Sequence, residues 1–108
     1  MIYELHIYTA APGRMADLLR RFRDHVLPLW DRHGIKQAGF WTGTEESTGD
    51  VLTYFTVWES MADRDLRWTA ALNDPVWKAV QAESTANGPL VASTEKRFMT
   101  PTDFSSVR

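Results

Sequence analysis

From residue 2 to residue 10 the side chains alternate, with Ile2, Glu4, His6 and Tyr8 on one side and Tyr3, Leu5, Ile7 and Thr9 on the other. A period of two among β-branched and aromatic residues predicts a strand. Ala11-Pro12-Gly13 breaks it, and the spacing then lengthens. Met15, Leu18, Leu19, Phe22, Val26, Leu29 and Trp30 form a helical stripe between Arg14 and His33, closed by Gly34 as a C-terminal cap. Pro28 lies inside this stretch and is expected to kink it by removing one ladder hydrogen bond. A second strand is predicted from Ile35 to about Glu45, with Phe40 and Trp41 on opposite faces. Glu46 to Asp50 reads as a turn, and Val51 to Trp58 as a third strand paired to the second as a hairpin. Ser60 and Asp63 have the spacing of a capping box, followed by a helix whose buried stripe is expected at Met61, Trp68 and Leu72. Asn73-Asp74-Pro75 stops that helix and starts another, with Asp74 as cap and Pro75 in the first turn. Asn87-Gly88-Pro89 ends it. Val91 to Met99 is the fourth strand, and a polar tail from Thr100 to Arg108 has Phe104 as its one expected anchor.

The order β-α-β-β-α-β with short connections predicts an α+β, ferredoxin-like fold. It is a four-stranded antiparallel sheet with the helices on one face and strands one and three central. A sheet covered on one face should alternate apolar and polar residues. The third strand does not: Val51, Phe55 and Val57 fall on one side, Leu52, Tyr54 and Trp58 on the other. Each large apolar side chain left in water forgoes about 1.5–3 kcal/mol. A second copy of the chain is the simplest cover, so a homodimer is expected.

With 108 residues there is room for a single domain, residues 1–108, and one core. Five Trp, five Phe and three Tyr in so small a domain suggest aromatic burial in a ligand pocket or a subunit interface as well. A net charge of −2, and an arginine run (Arg14, Arg20, Arg21, Arg23) interrupted by Asp17 and Asp24, argue against a nucleic-acid partner and read as the solvated side of a helix. There is no cysteine, which excludes thiol chemistry. No apolar run approaches a membrane span, and the opening residues read as a strand rather than a signal, so a cytoplasmic protein without a membrane partner is expected.

Glu4, His6 and Tyr8 place three ionisable groups on one side of a central strand, where unpaired burial is costly. Pairing with the fourth strand would set Glu95 and Arg97 beside them. One reading is the polar floor of a pocket, with His6 as acid or base and Tyr8 as hydrogen-bond donor. The other is an ion-pair lattice that fixes dimer register. Arg64, near the buried stripe of its helix, could clamp a ligand carboxylate or phenolate, or pair with Asp63, Asp65 or a strand carboxylate. Trp41, Trp58 and Trp68 are the tryptophans expected to touch a ligand, with Tyr54 and Arg97 as further contacts, although opposite sides of the sheet cannot all serve one pocket. His25 and His33 read as structural, and the histidine spacing offers no metal site. Nucleophile elbows and Gly-rich phosphate loops do not occur, so no cofactor is expected.

Tyr3-Glu4-Leu5-His6-Ile7-Tyr8-Thr9 with Pro12-Gly13, Gly39-Phe40-Trp41-Thr42, Glu59-Ser60-Met61-Ala62-Asp63-Arg64, Asp74-Pro75-Val76-Trp77 and Pro101-Thr102-Asp103-Phe104-Ser105 together resemble the NIPSNAP family, in order along essentially the whole chain. The resemblance implies a dimeric α/β-barrel, two sheets packed face to face with helices outside, in a superfamily that includes cofactor-free monooxygenases, polyketide cyclases and haem-binding enzymes. Two departures are visible. Members usually carry Arg where this chain has His6, which replaces a permanent cation with a titrating group. They also usually carry a Trp near the position of Thr56. The expectation is a small-molecule-binding protein or cofactor-independent enzyme of secondary metabolism. Its substrate would be aromatic or polyketide-like, its chemistry cyclisation, isomerisation or oxygenation. The alternative is a non-catalytic interaction dimer.

Overall fold

β1 (Ile2–Ala10) and β3 (Val51–Trp58) form the centre of a single antiparallel sheet, flanked by β2 (Lys36–Thr42) and β4 (Val91–Met99) in the order β2-β3-β1-β4. The computed structural model describes residues 1–107, so Arg108 at the end of the tail lies outside the described residues. Between β1 and β2 run α1 (Met15–Arg21), a π-helical turn (Phe22–Val26) and α2 (Leu27–His33). Between β3 and β4 run α3 (Met61–Leu72) and α4 (Pro75–Ser84). This is the α+β, ferredoxin-like arrangement that the order of elements predicts.

Residues directly opposite in an antiparallel pair share a face. The pairs Glu4↔Thr56, His6↔Tyr54 and Tyr8↔Leu52 therefore define one face of the centre, and Tyr3↔Val57, Leu5↔Phe55 and Ile7↔Thr53 the other. The first face is under the helices. Leu52, Tyr54, Thr56 and Trp58 are buried in strict alternation along β3, and they share a core with Leu18, Phe22, Val26, Leu29, Trp30 and Ala71. The second face keeps Val51, Phe55 and Val57 only half-buried and leaves Trp41 54% exposed.

The helical punctuation follows the sequence. Ser60 Oγ accepts from Asp63 N–H while Asp63 reaches back to Glu59 N–H, completing the capping box. Asp74 caps α4 through Val76 N–H, and Gly34 closes α2 at φ 68°. Pro28 does not break the first helical stretch. It falls in the first turn of α2, and the irregularity lies before it as the π turn, where Leu27 N–H bonds to Phe22 O five residues back. Two apolar assignments are corrected. Met61 and Leu72 are exposed (39% and 47%), and the covered side of α3 consists of Arg64, Trp68 and Ala71. Phe104, expected to anchor the tail, is 86% exposed and is not part of the buried core of the described residues.

Candidate functional site

Glu4 and His6 are fully buried on the helix-covered face, in the middle of the sheet. The Glu4 carboxylate accepts from Trp58 Nε1 (3.0 Å) and Thr56 Oγ1 (3.4 Å) on β3, and from Arg64 Nε (3.2 Å) and Nη2 (3.1 Å) on α3. Lys96 Nζ of β4 stands 3.9 Å away. Burial alone would raise the Glu4 pKa, but the Arg64 hydrogen bonds, the neighbouring His6 and Trp58 outweigh it and hold the group below its ordinary value. The same pairing raises the Arg64 pKa against its own burial. Arg64 also bonds Asp65 at 3.3 Å and lies over the rings of Trp68 and Phe98, so both expected carboxylate partners, the strand's and the helix's, are present.

His6 Nε2 is 2.9 Å from Thr56 Oγ1. Thr56 also donates to Glu4, which is consistent with the imidazole proton on Nε2, and Nδ1 is buried without a partner among the described residues. The ring stacks on Tyr54 (centroids 4.3 Å, planes 5° apart) and under Trp68 (5.6 Å). Burial pushes its pKa down to about 4; Glu4 opposes that shift, and Lys96 and Arg64 add to it. His6 is thus a neutral imidazole at pH 7.

Beyond Tyr54 the polar network continues as a phenol pair, Tyr54 Oη donating to Tyr8 Oη at 2.9 Å. Burial raises the pKa of both, Tyr54 well above the ordinary value, so both remain protonated. The pair borders a cavity of about 90 Å³ between sheet and helices, walled by Phe22, Trp30, Trp68 and Trp77.

These positions sort the candidate residues. His6, Tyr8, Tyr54, Trp58, Arg64 and Trp68 are gathered on one face, and Tyr8, Tyr54 and Trp68 border the cavity; His6 and Arg64 do not. Trp41 and Arg97 are on the other face. Trp41 pairs with Thr53 and meets Phe55 edge-on, and Arg97 pairs with Leu5. The residues set beside Glu4 and His6 are Phe98 and Lys96, in place of Arg97 and Glu95. The cause is a β-bulge at Thr9/Ala10, where β1–β4 register shifts by one and exchanges the faces of β4. The lattice reading also changes place. The Glu4 network ties β1 to β3, α3 and β4 inside one chain and does not lie on the open face. His33 bonds Asp74 at 2.8 Å, joining the end of α2 to the start of α4, while His25 borders an outer groove. Sequence reasoning missed Lys96, Thr56 as a relay, and Arg21. Arg21 had a visible signal, three residues after Leu18 and beside Phe22 on the buried stripe.

A four-stranded ferredoxin-like sheet with helices on one face and a polar cluster at its centre defines the class of protein. Within it, the NIPSNAP family signature matches residues 3–106, and the chain belongs to the NIPSNAP family. Among solved structures it is similar to a NIPSNAP family protein from Agrobacterium tumefaciens, at 25% identity over 99% of this chain and 98% of that one, with a TM-score of 0.83. An uncharacterized NIPSNAP domain protein from Burkholderia xenovorans superposes with a TM-score of 0.82 at 18% identity, covering 97% and 98% of the two chains. An antibiotic biosynthesis monooxygenase shares the fold at 9% identity and a TM-score of 0.62, covering 94% and 99%. No curated protein matches the chain. Among the described residues, no helix is long and apolar enough to cross a membrane.

Proposed function

We propose that the protein binds a small aromatic molecule in the cavity between sheet and helices, and that its chemistry there is cofactor-free proton transfer. The observation that carries this reading is the Tyr8–Tyr54 hydroxyl pair on the wall of a cavity lined mostly by aromatic and aliphatic side chains, with Arg21 at its edge. Large apolar walls with a few convergent polar groups are the usual make-up of a ligand site. Tyr8 would donate its hydroxyl hydrogen to a bound carbonyl oxygen, and solvent water would take the α-carbon proton that this polarisation loosens. His6 lies flat against the Tyr54 ring and is held by Thr56 and Glu4, so its part is to fix the position of that ring. At about 90 Å³ the resting cavity is smaller than the roughly 150 Å³ that holds benzene in an engineered core. A single ring would therefore enter with movement of Leu72 and Trp77 at the helical side, and a polycyclic polyketide would not fit.

Protein-detected NMR with phenol as probe tests the binding step. Shifts of the Trp68 and Trp77 indole N–H signals are expected, and they should be weakened in Tyr8→Phe. Shifts confined to Trp41 would put the ligand on the other face and overturn the reading. The chemical step is tested by wash-in of solvent deuterium at the α-carbon of an aryl ketone, which should disappear in Tyr8→Phe.

The open sheet face supports a homodimer as the form in which this site operates. Tyr3, Trp41, Phe55 and Met99 border an apolar depression of about 310 Å³ there. An apolar surface of this kind on a small domain is stabilised by covering it, and a second copy presents the same residues.

A further inference from the structure

Arg21, at the end of α1, differs from the other arginines. Arg14, Arg20, Arg32, Arg64 and Arg67 each make an ion pair, and Arg23 and Arg97 are exposed. Arg21 is half-buried, and among the described residues no carboxylate lies within ion-pair distance of it. Its guanidinium lies over the Trp77 ring at 5.3 Å, and Nη1 donates to Ser84 Oγ at 3.2 Å. Its Nε–H is buried without a partner. Half-burying a cation with no counter-charge and one idle donor is costly, and the Trp77 ring and Ser84 offset only part of that cost.

A second idle donor borders the same cavity. Tyr8 and Tyr54 have two hydroxyl hydrogens and share one hydrogen bond, so one hydrogen has no acceptor among the described residues. The residues that border the cavity thus include a guanidinium and a phenol pair, each with an idle hydrogen, together with aromatic walls and no carboxylate. The carboxylates nearby are committed or remote: Glu4 to Arg64 and Trp58, Asp17 to Arg14 and Arg20, while Glu83 is exposed in the groove outside. Among the described residues, Arg21 alone borders both this cavity and the outer groove of about 270 Å³ between α1 and α4, where Arg14, Arg20 and His25 stand with Asp17 and Glu83.

We propose that Arg21 and the Tyr8 hydroxyl anchor the carboxylate of a small aromatic acid whose ring lies among Phe22, Trp68 and Trp77. The proposal rests on the pocket reading above and adds the charge of the ligand and the residue that recognises it. A carboxylate matches the guanidinium's parallel donors and accepts the spare phenol hydrogen with a lone pair to spare. A neutral ligand would leave the buried cation uncompensated.

The test compares benzoate with its neutral isostere benzamide, by calorimetry and by the Trp68 and Trp77 indole signals, on the full chain at pH 7. Benzoate is expected to bind more than tenfold tighter than benzamide. Arg21→Gln should remove that difference with little effect on benzamide, Arg21→Lys should keep part of it, and Tyr8→Phe should weaken benzoate several-fold. Equal affinity for the two probes in the unmodified protein, or benzoate binding unchanged in Arg21→Gln, overturns the anchor. If Arg21→Gln does not fold, as judged by circular dichroism, the benzoate-to-benzamide ratio of the unmodified protein decides alone. Benzamide binding at Trp68 and Trp77 without any preference for benzoate leaves the pocket standing and removes the anchor. Failure of both probes to bind removes both.

Discussion

The imidazole of His6 lies flat against the ring of Tyr54, 4.3 Å apart and within 5° of parallel, at the middle of a sheet where neither is open to water. Depression of the His6 pKa from its ordinary 6.5 to about 4 means that the folded protein binds this proton more weakly than the unfolded chain does. The stabilisation is therefore complete above pH 6.5, declines as the pH falls, and is spent near pH 4. It amounts to on the order of 3 kcal/mol. Urea midpoints measured between pH 7 and pH 4 should show this decline, and His6→Gln should flatten it. Glu4, also depressed, adds its own loss below about pH 4.5. An unchanged profile in His6→Gln would mean that His6 is not held neutral by burial.

Glu4 and Arg64 should behave as a coupled pair. Truncating Glu4 to Ala leaves Arg64 and the Trp58 indole N–H without their acceptor, at a cost of about 3–5 kcal/mol. Arg64→Ala strands a fully buried carboxylate and should cost a similar amount. The double variant Glu4→Ala/Arg64→Ala should be less destabilised than the sum of the two truncations, since neither charge is then left without the other. Denaturant unfolding of a double-mutant cycle measures the coupling.

On the other face, Phe55 tests the proposed homodimer. Phe55→Asp places a charge where a partner sheet would lie but touches none of the helix-covered residues. Sedimentation equilibrium should show dimer affinity reduced by about a hundredfold or more, with the circular dichroism spectrum unchanged. A monomeric unmodified protein would overturn the dimer itself.

Gly34 closes α2 at φ 68°, and a methyl group there would collide with the Arg67 guanidinium, which donates to the His33 carbonyl at 3.0 Å. Gly34→Ala should therefore cost about 1–2 kcal/mol from the backbone alone, read as a lowered thermal midpoint. Measured against Arg67→Ala alone, which lacks the Asp63 and His33 contacts in both backgrounds, Gly34→Ala should cost only the backbone part.

Much of this was legible in the sequence because periodicity and punctuation act locally. Alternation in β1 put Glu4, His6 and Tyr8 on one side, and the caps at Ser60, Asp74 and Gly34 were readable from residue type. Alternation fixes which residues share a side, but it does not say which side the helices cover. That is why the Glu4 cluster could be read as either pocket or interface. Arg97 was misplaced for a sharper reason: the bulge at Thr9/Ala10 shifts register by one, and nothing in the composition of β4 marks it. Met61 and Leu72 were assigned to the core by hydrophobicity, whereas α3 turns Arg64 inward to meet a carboxylate that no pattern within α3 reveals.

The alternation in β1 also bears on how faithfully the chain can fold. A slip of one residue in its pairing would push Leu5 and Ile7 beneath the helices and turn Glu4 and His6 outward. Arg64, Trp58 and Thr56 would then be waiting under the helices for a carboxylate that had gone to the wrong side. The polar cluster thus acts as a proofreading device: an apolar β1 could settle into either frame with similar burial, but this one has a single frame in which its charges are answered.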